Sequence, residues 1–208
     1  ASSLGGMSIL SPWRGRVWAR GETPASVASV PNLISVVRVV LTPVFVWLVL
    51  VDAGEMGSTR LVAAVLFMVL IATDFVDGWI ARSRNLVTDF GKLFDPIADK
   101  AITGAGFVVL SILGELHWWI TILVLVREIG ITVHRLAIAN DVVIPATWPG
   151  KAKTWAQAVA LSAALLPLAA WIGETPAGIV HVVTMTIAVV LTIVSGLEYV
   201  WHVRPRHR

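Results

Sequence analysis

Residues Asp74 to Lys100 read DFVDGWIARSRNLVTDFGKLFDPIADK, and four of their acids, Asp74, Asp77, Asp95 and Asp99, lie within or at the edge of long apolar runs. Asp74 and Asp77 are spaced i, i+3 and Asp95 and Asp99 i, i+4, so on helices each pair shares one face. A single Asp near the centre of a membrane helix costs about 2.5–3.5 kcal/mol on translocon scales. Four of them need a compensating partner. Two helices joined by a short loop bring the pairs face to face, and one or two divalent cations reconcile the mutual repulsion. An all-oxygen ligand set favours Mg²⁺, Mn²⁺ or Ca²⁺ over zinc.

The surrounding chain supplies the membrane. Of 208 residues 57% are hydrophobic and 14% charged, and mean hydropathy is +0.82. Soluble domains run at roughly 45–50% apolar and about 25% charged, so an ordinary soluble domain is excluded. Six apolar segments approach the roughly 20 residues that cross a bilayer: Leu33–Val51, Thr59–Ile80, Asp95–Leu113, Trp118–Ala139, Lys153–Ile172 and Ala177–Trp201. Short separators such as Asp52-Ala-Gly-Glu-Met-Gly and Gly173-Glu-Thr-Pro carry breaker residues suited to turns between antiparallel helices. The expectation is an all-α integral membrane fold with six transmembrane helices filling residues 31–208. Within residues 1–30, Ser8 to Arg20 mixes Ile9, Leu10, Trp13, Val17 and Trp18 with Arg14, Arg16 and Arg20, as an interfacial amphipathic helix would.

Charge sets the orientation. Arg14, Arg16, Arg20, Arg82, Arg84, Lys92, Arg135, Lys151, Lys153, Arg204, Arg206 and Arg208 fall on one side of a six-span arrangement, with Arg60 flanking the other. Cytoplasmic loops accumulate Lys and Arg, so both termini and the acidic stretch are expected on the cytoplasmic side. The formal net charge of +3 is then read as an affinity for anionic lipid headgroups, with no nucleic-acid partner. There is no cysteine, which removes disulfides and thiolate metal sites. Pro96 lacks an amide proton and disfavours helical geometry at Asp95, so the third helix is expected to start near Asp95 or to kink there.

Gly78, Ala81 and Gly91 fall on or beside the acidic faces, where small residues let a ligand approach closely. Arg82, one turn beyond Gly78, offers a planar fork of donors to phosphate oxygens. Acids, cations, small residues and one arginine together describe a diphosphate site.

The pattern Asp74, Asp77, Gly78, Ala81, Arg82, Gly91, Asp95 and Asp99 resembles the signature of the CDP-alcohol phosphotransferases, D-x2-D-G-x2-A-R-x8-G-x3-D-x3-D, at every position. The resemblance implies that Asp74, Asp77, Asp95 and Asp99 bind divalent metal, Mg²⁺ or Mn²⁺ and two ions rather than one. It makes Asp99 also the catalytic base toward the acceptor hydroxyl. Gly78, Ala81, Arg82, Gly91 and Thr88 would surround the cytidine diphosphate, together with Asn32, Ser35 and Arg38 of a Pro31-Asn32-Leu33-Ile34-Ser35 motif. The family also implies a homodimer.

A second polar set, Arg127, Glu128, His134, Arg135, Lys151 and Lys153, interrupts the fourth segment and opens the fifth. An intramembrane arginine is a functional-site hypothesis, and Arg127, Arg135, Lys151 and Lys153 together favour an acceptor that carries phosphate. The plainer alternatives are that both lysines anchor the helix at the membrane surface and that Arg127 pairs with Glu128 or an aspartate. The stretches Arg127-Glu-Ile-Gly, His134-Arg135 and Pro149-Gly-Lys-Ala-Lys-Thr-Trp-Ala-Gln resemble the bacterial phosphatidylglycerophosphate synthase branch. That branch implies CDP-diacylglycerol as donor, sn-glycerol 3-phosphate as acceptor, phosphatidylglycerophosphate and CMP as products, and the bacterial cytoplasmic membrane as location. Phosphatidylinositol-phosphate synthase and a cardiolipin synthase of the same fold share the signature. A cation transporter using the four carboxylates would leave Arg82 and the glycines unexplained.

Overall fold

The computed structural model describes residues 30–84, 89–138 and 148–203, with side chains over 34–73, 100–134 and 148–202. Every regular element among them is an α-helix: α1 (Val30–Asp52), α2 (Ser58–Arg84), α3 (Asp89–Ile112), α4 (Trp118–Ile138), α5 (Trp148–Leu165), α6 (Leu168–Ile172) and α7 (Glu174–Val203). The amphipathic helix expected over Ser8–Arg20 lies outside the described residues.

The long helices follow the apolar segments, with instructive differences at their ends. The fifth segment is expected to run unbroken to Ile172, but α5 stops at Leu165 and a short α6 follows Pro167. Proline has no amide proton to continue the ladder, so an apolar stretch is cut in two. α7 starts at Glu174, ahead of the expected Ala177; Pro176 sits in its first turn, where amide protons have no helical acceptor anyway. α5 starts at Trp148, which puts Lys151 and Lys153 inside the helix. α3 does not begin near Asp95. It begins at Asp89 and passes through Pro96, leaving the Lys92 carbonyl without its usual in-helix donor.

Among the described residues two helices are long and apolar enough to cross a membrane, over Ile34–Asp52 and Glu174–His202, and Ser58–Thr73 and Lys100–Ile112 are shorter apolar stretches. Val40, Trp47, Val126, Val159 and Val182 are exposed on outer faces, while Arg38, Arg60, Glu128 and Lys153 are buried. That inversion suits a bundle whose surface meets hydrocarbon and whose polar groups turn inward.

α1 packs on both α2 and α3, and α5 runs along α7. Their apolar centre is built from Phe45, Ala63, Phe67, Phe107, Leu110 and Leu161. The rings of Phe45 and Phe67 lie 5.5 Å apart. Gly106 lets α3 come in against Leu161 and Phe67, since a Cβ there would stand 3.2 Å from Leu161 Cδ1.

One end of the bundle is fastened by charge. The Asp52 carboxylate, ending α1, accepts the amide protons of Met56 and Gly57 at 3.0 Å and of Arg60 at 3.2 Å, capping α2 from its neighbour. The Arg60 guanidinium is buried against Glu115, between α3 and α4, and donates to the Ala164 carbonyl of α5 at 3.4 Å. Trp118, Trp119 and Trp171 are exposed at this end and Trp148 and Trp201 at the other, as membrane-interface aromatics would be.

Candidate active site

The opposite end carries the acidic residues of the sequence pattern. Asp74, Asp77, Gly78, Ala81 and Arg82 lie on the last turns of α2, and Gly91, Asp95 and Asp99 on the first turns of α3. Both acidic pairs are therefore on helix, with the i, i+3 and i, i+4 spacings that share a face. The side chains of these eight residues, of Asn32 in α1 and of Arg135 in α4 lie outside the described residues, as does Thr88 entirely. Among the described side chains no group of three His, Asp or Glu is placed to hold a metal ion.

α1 brings two of the expected nucleotide contacts to this end. Ser35 and Arg38 are both buried, and the Arg38 carbonyl accepts from Thr42 Oγ1 at 2.9 Å. Arg38 borders a cavity of about 280 Å³ with Ile34, Val37, Leu41, Val69, Leu70 and Thr73. Its α2 wall includes Thr73, the residue before Asp74. A larger cavity, about 540 Å³, opens on the other flank of α2, lined by Met68, Ile71 and Ala72 with Trp155, Ala158 and Val159 of α5.

The second polar set condenses around one carboxylate. Glu128 is buried on α4, and its Oε1 accepts hydrogen bonds from Lys153 Nζ of α5 and from Arg127 Nη1 at 2.9 Å. Lys100 of α3, the residue after Asp99, has its Nζ 3.7 Å from Glu128 Oε2. Arg127 Nη2 donates to Ser195 Oγ of α7 at 2.9 Å. Near the same α4–α7 contact, His134 Nδ1 and Tyr199 Oη share a hydrogen bond of 2.8 Å.

Of the four cations expected at the acceptor site, the fold brings Arg127 and Lys153 together through Glu128. Lys151 is exposed, as its two-residue offset from Lys153 on a helix dictates. The pairing of Arg127 with Glu128, weighed as a plain alternative, is present, but it is one part of a larger cluster. Neither the hub role of Glu128 nor the parts of Lys100 and Ser195 are legible in the sequence. The signal that existed was the acid beside Arg127 inside an apolar run; Ser195 looks like any small polar residue in a membrane helix.

A sequence model of the CDP-alcohol phosphatidyltransferase family matches residues 28–194, which span the acidic stretch, Glu128 and Lys153. The chain belongs to that family. As a CDP-alcohol phosphatidyltransferase it has relatives at substantial identity. It is 42% identical over 176 residues to a probable phosphatidylglycerophosphate synthase of Mycobacterium tuberculosis, covering 85% of this chain and 82% of the relative. It is 37% identical over 185 residues to the CDP-diacylglycerol–glycerol-3-phosphate 3-phosphatidyltransferase of Bacillus subtilis, covering 82% of this chain and 93% of the relative. The protein of that name from Rickettsia typhi is 34% identical over 177 residues, 82% of this chain and 94% of the relative. In this phosphatidyltransferase Lys100 follows Asp99 in the chain, and its ammonium faces Glu128 of the cation cluster on α4 and α5.

Proposed function

We propose that this phosphatidyltransferase moves a phosphatidyl group from CDP-diacylglycerol to sn-glycerol 3-phosphate, yielding phosphatidylglycerophosphate and CMP. The observation that carries the acceptor is the buried cluster of Arg127 and Lys153 on Glu128, at the end of the bundle that holds the signature aspartates. A pair of cations, one buried and one partly buried, on a single buried carboxylate is an unusual investment of charge inside a membrane helix bundle, and a phosphate monoester is the ligand that matches it. The names of the relatives support the same pair of substrates.

In this reading Asp99 takes the proton from the acceptor hydroxyl, and the freed oxygen attacks the lipid-side phosphorus of the donor. The bond from that phosphorus to the CMP oxygen breaks, and CMP leaves with the electron pair. Divalent metal bound by Asp74, Asp77, Asp95 and Asp99, Mg²⁺ or Mn²⁺ and two ions in the fullest form, would neutralise the charge that builds on the diphosphate. The oxygen-only donor set suits such a cation, and both acidic pairs lie on helices α2 and α3 at one end of the bundle. Arg38 and Arg82, with Asn32, Ser35, Gly78, Ala81, Thr88 and Gly91, surround the cytidine diphosphate. Arg135 and Lys151 guide the acceptor toward Arg127 and Lys153. The two apolar cavities flanking α2 suit a donor whose remainder is lipid.

The arrangement belongs in a bacterial cytoplasmic membrane, with six spans formed by α1, α2, α3, α4, α5 with α6, and α7, and with the site on the cytoplasmic side. The one-sided distribution of Lys and Arg supports that orientation. The protein acts as a homodimer, a state carried over from the family resemblance. The test is CMP release from CDP-diacylglycerol with glycerol 3-phosphate, inositol 1-phosphate and phosphatidylglycerol offered separately. Release with glycerol 3-phosphate alone is expected; release with either of the others instead would reassign the acceptor.

A further inference from the structure

Resting on that acceptor reading, we propose that Glu128 is the positioning residue of the acceptor site, the group that sets the geometry of the cations that receive the phosphate. Its carboxylate joins three helices directly and a fourth through Arg127. Oε1 holds Lys153 from α5 and Arg127 from its own helix α4, Oε2 faces Lys100 from α3, and Arg127 reaches on to Ser195 of α7.

Alone, the cations would not hold their places. Arg127 and Lys153 are long, flexible side chains of like charge, both largely buried. Without an anion between them they repel, and each would be driven toward water at the bundle's end. Glu128 removes that tendency. It fixes both heads before the acceptor arrives, so the phosphate does not have to order them. The contact with Lys100 ties this arrangement to the signature helix α3, because Lys100 directly follows Asp99. The spacing between phosphate subsite and base is thereby held by one carboxylate.

A purely electrostatic role predicts the reverse outcome on substitution, which makes the proposal decidable by sign. Glu128→Gln keeps the side chain's size and deletes a negative charge beside three cations. The field at the site becomes more positive, and on charge alone a dianionic acceptor would bind more tightly. On the positioning account the cations lose their common anchor and the acceptor binds more weakly despite the improved field.

The measurement is steady-state kinetics of the full-length protein with both substrates, together with glycerol 3-phosphate binding in the absence of donor and the thermal midpoint of each variant. Glu128→Gln is expected to raise the KM for glycerol 3-phosphate on the order of tenfold to a hundredfold, as truncating a buried charged partner does. The KM for CDP-diacylglycerol should stay within about twofold. Glu128→Asp keeps the charge one methylene short and should fall between the two proteins; it also serves if the glutamine variant does not fold. An unchanged or lower KM for glycerol 3-phosphate overturns the proposal. So does an equal rise for both substrates with a lowered thermal midpoint, which marks a merely structural role. Failure of the parent protein to use glycerol 3-phosphate at all would instead strike the acceptor reading.

Discussion

Arg127 on α4 donates to the hydroxyl of Ser195 on α7 at 2.9 Å, while that hydroxyl donates in turn to the Leu191 carbonyl at 2.7 Å. The arginine is therefore held from two sides, by Glu128 and by a hydroxyl whose own direction is fixed. A hydrogen bond to a charged group contributes about 1.5–3 kcal/mol. Ser195→Ala should raise the KM for glycerol 3-phosphate several-fold, to about tenfold, and leave the donor KM unchanged. Arg127→Ala should do more in the same direction. Parallel kinetics on both substrates check this, and an equal effect on donor and acceptor would take Arg127 out of the acceptor site.

The acidic pairs carry a different expectation. Replacing Asp74 by Asn preserves size and removes charge, so turnover should fall by orders of magnitude at ordinary Mg²⁺ or Mn²⁺ while the detergent-solubilised protein still elutes as a folded species. Asp99→Asn should lose turnover yet retain binding of CDP-diacylglycerol, because the role proposed for it is proton removal. Loss of donor affinity with unchanged turnover would make Asp99 a binding residue.

The larger cavity beside α2 invites a test of how the lipid is held. Lipid tails are as apolar as the leucines they would replace, so a groove contributes orientation more than affinity. Ala158 lines that cavity and is buried. Ala158→Trp should lower turnover with long-chain CDP-diacylglycerol and spare a short-chain analogue whose tails stop before the blockage. Equal loss with both donors would show that the cavity is not used by the acyl chains.

At the far end, Arg60 is wholly buried and its partner Glu115 is partly exposed. Removing one member of a buried pair strands the other charge, whereas replacing both with apolar groups costs less. Glu115→Leu alone should lower the thermal midpoint by several degrees, and Arg60→Met with Glu115→Leu should recover much of it. Thermal unfolding in detergent decides; a double variant less stable than the single one would mean that the guanidinium is held chiefly by its other contacts.

Much of this molecule could be read from the chain because its most informative features are local. Asp74 and Asp77 lie within one helical turn, as do Asp95 and Asp99, and hydropathy marks the helices that carry them. The breaks were less legible. Ala-Leu-Leu-Pro-Leu-Ala-Ala-Trp-Ile, residues 164–172, is apolar throughout, so hydropathy runs through Pro167, where the missing amide proton ends α5. The cluster around Glu128 was half visible. Composition places Arg127, Glu128 and Lys153 in membrane helices, but only the packing of α4 against α7, and of α5 along it, determines that Lys153 turns inward, that Lys151 does not, and that Ser195 meets Arg127.

The fate of the acceptor decides whether the chain transfers a phosphatidyl group. The purified protein, given CDP-diacylglycerol, Mg²⁺ or Mn²⁺ and radiolabelled sn-glycerol 3-phosphate, should move label into the lipid phase in step with CMP release, and the Asp74→Asn protein should do neither. CMP released without label entering lipid would make the chain a hydrolase of the donor, and no label transfer under any metal would contradict phosphatidyl transfer to glycerol 3-phosphate.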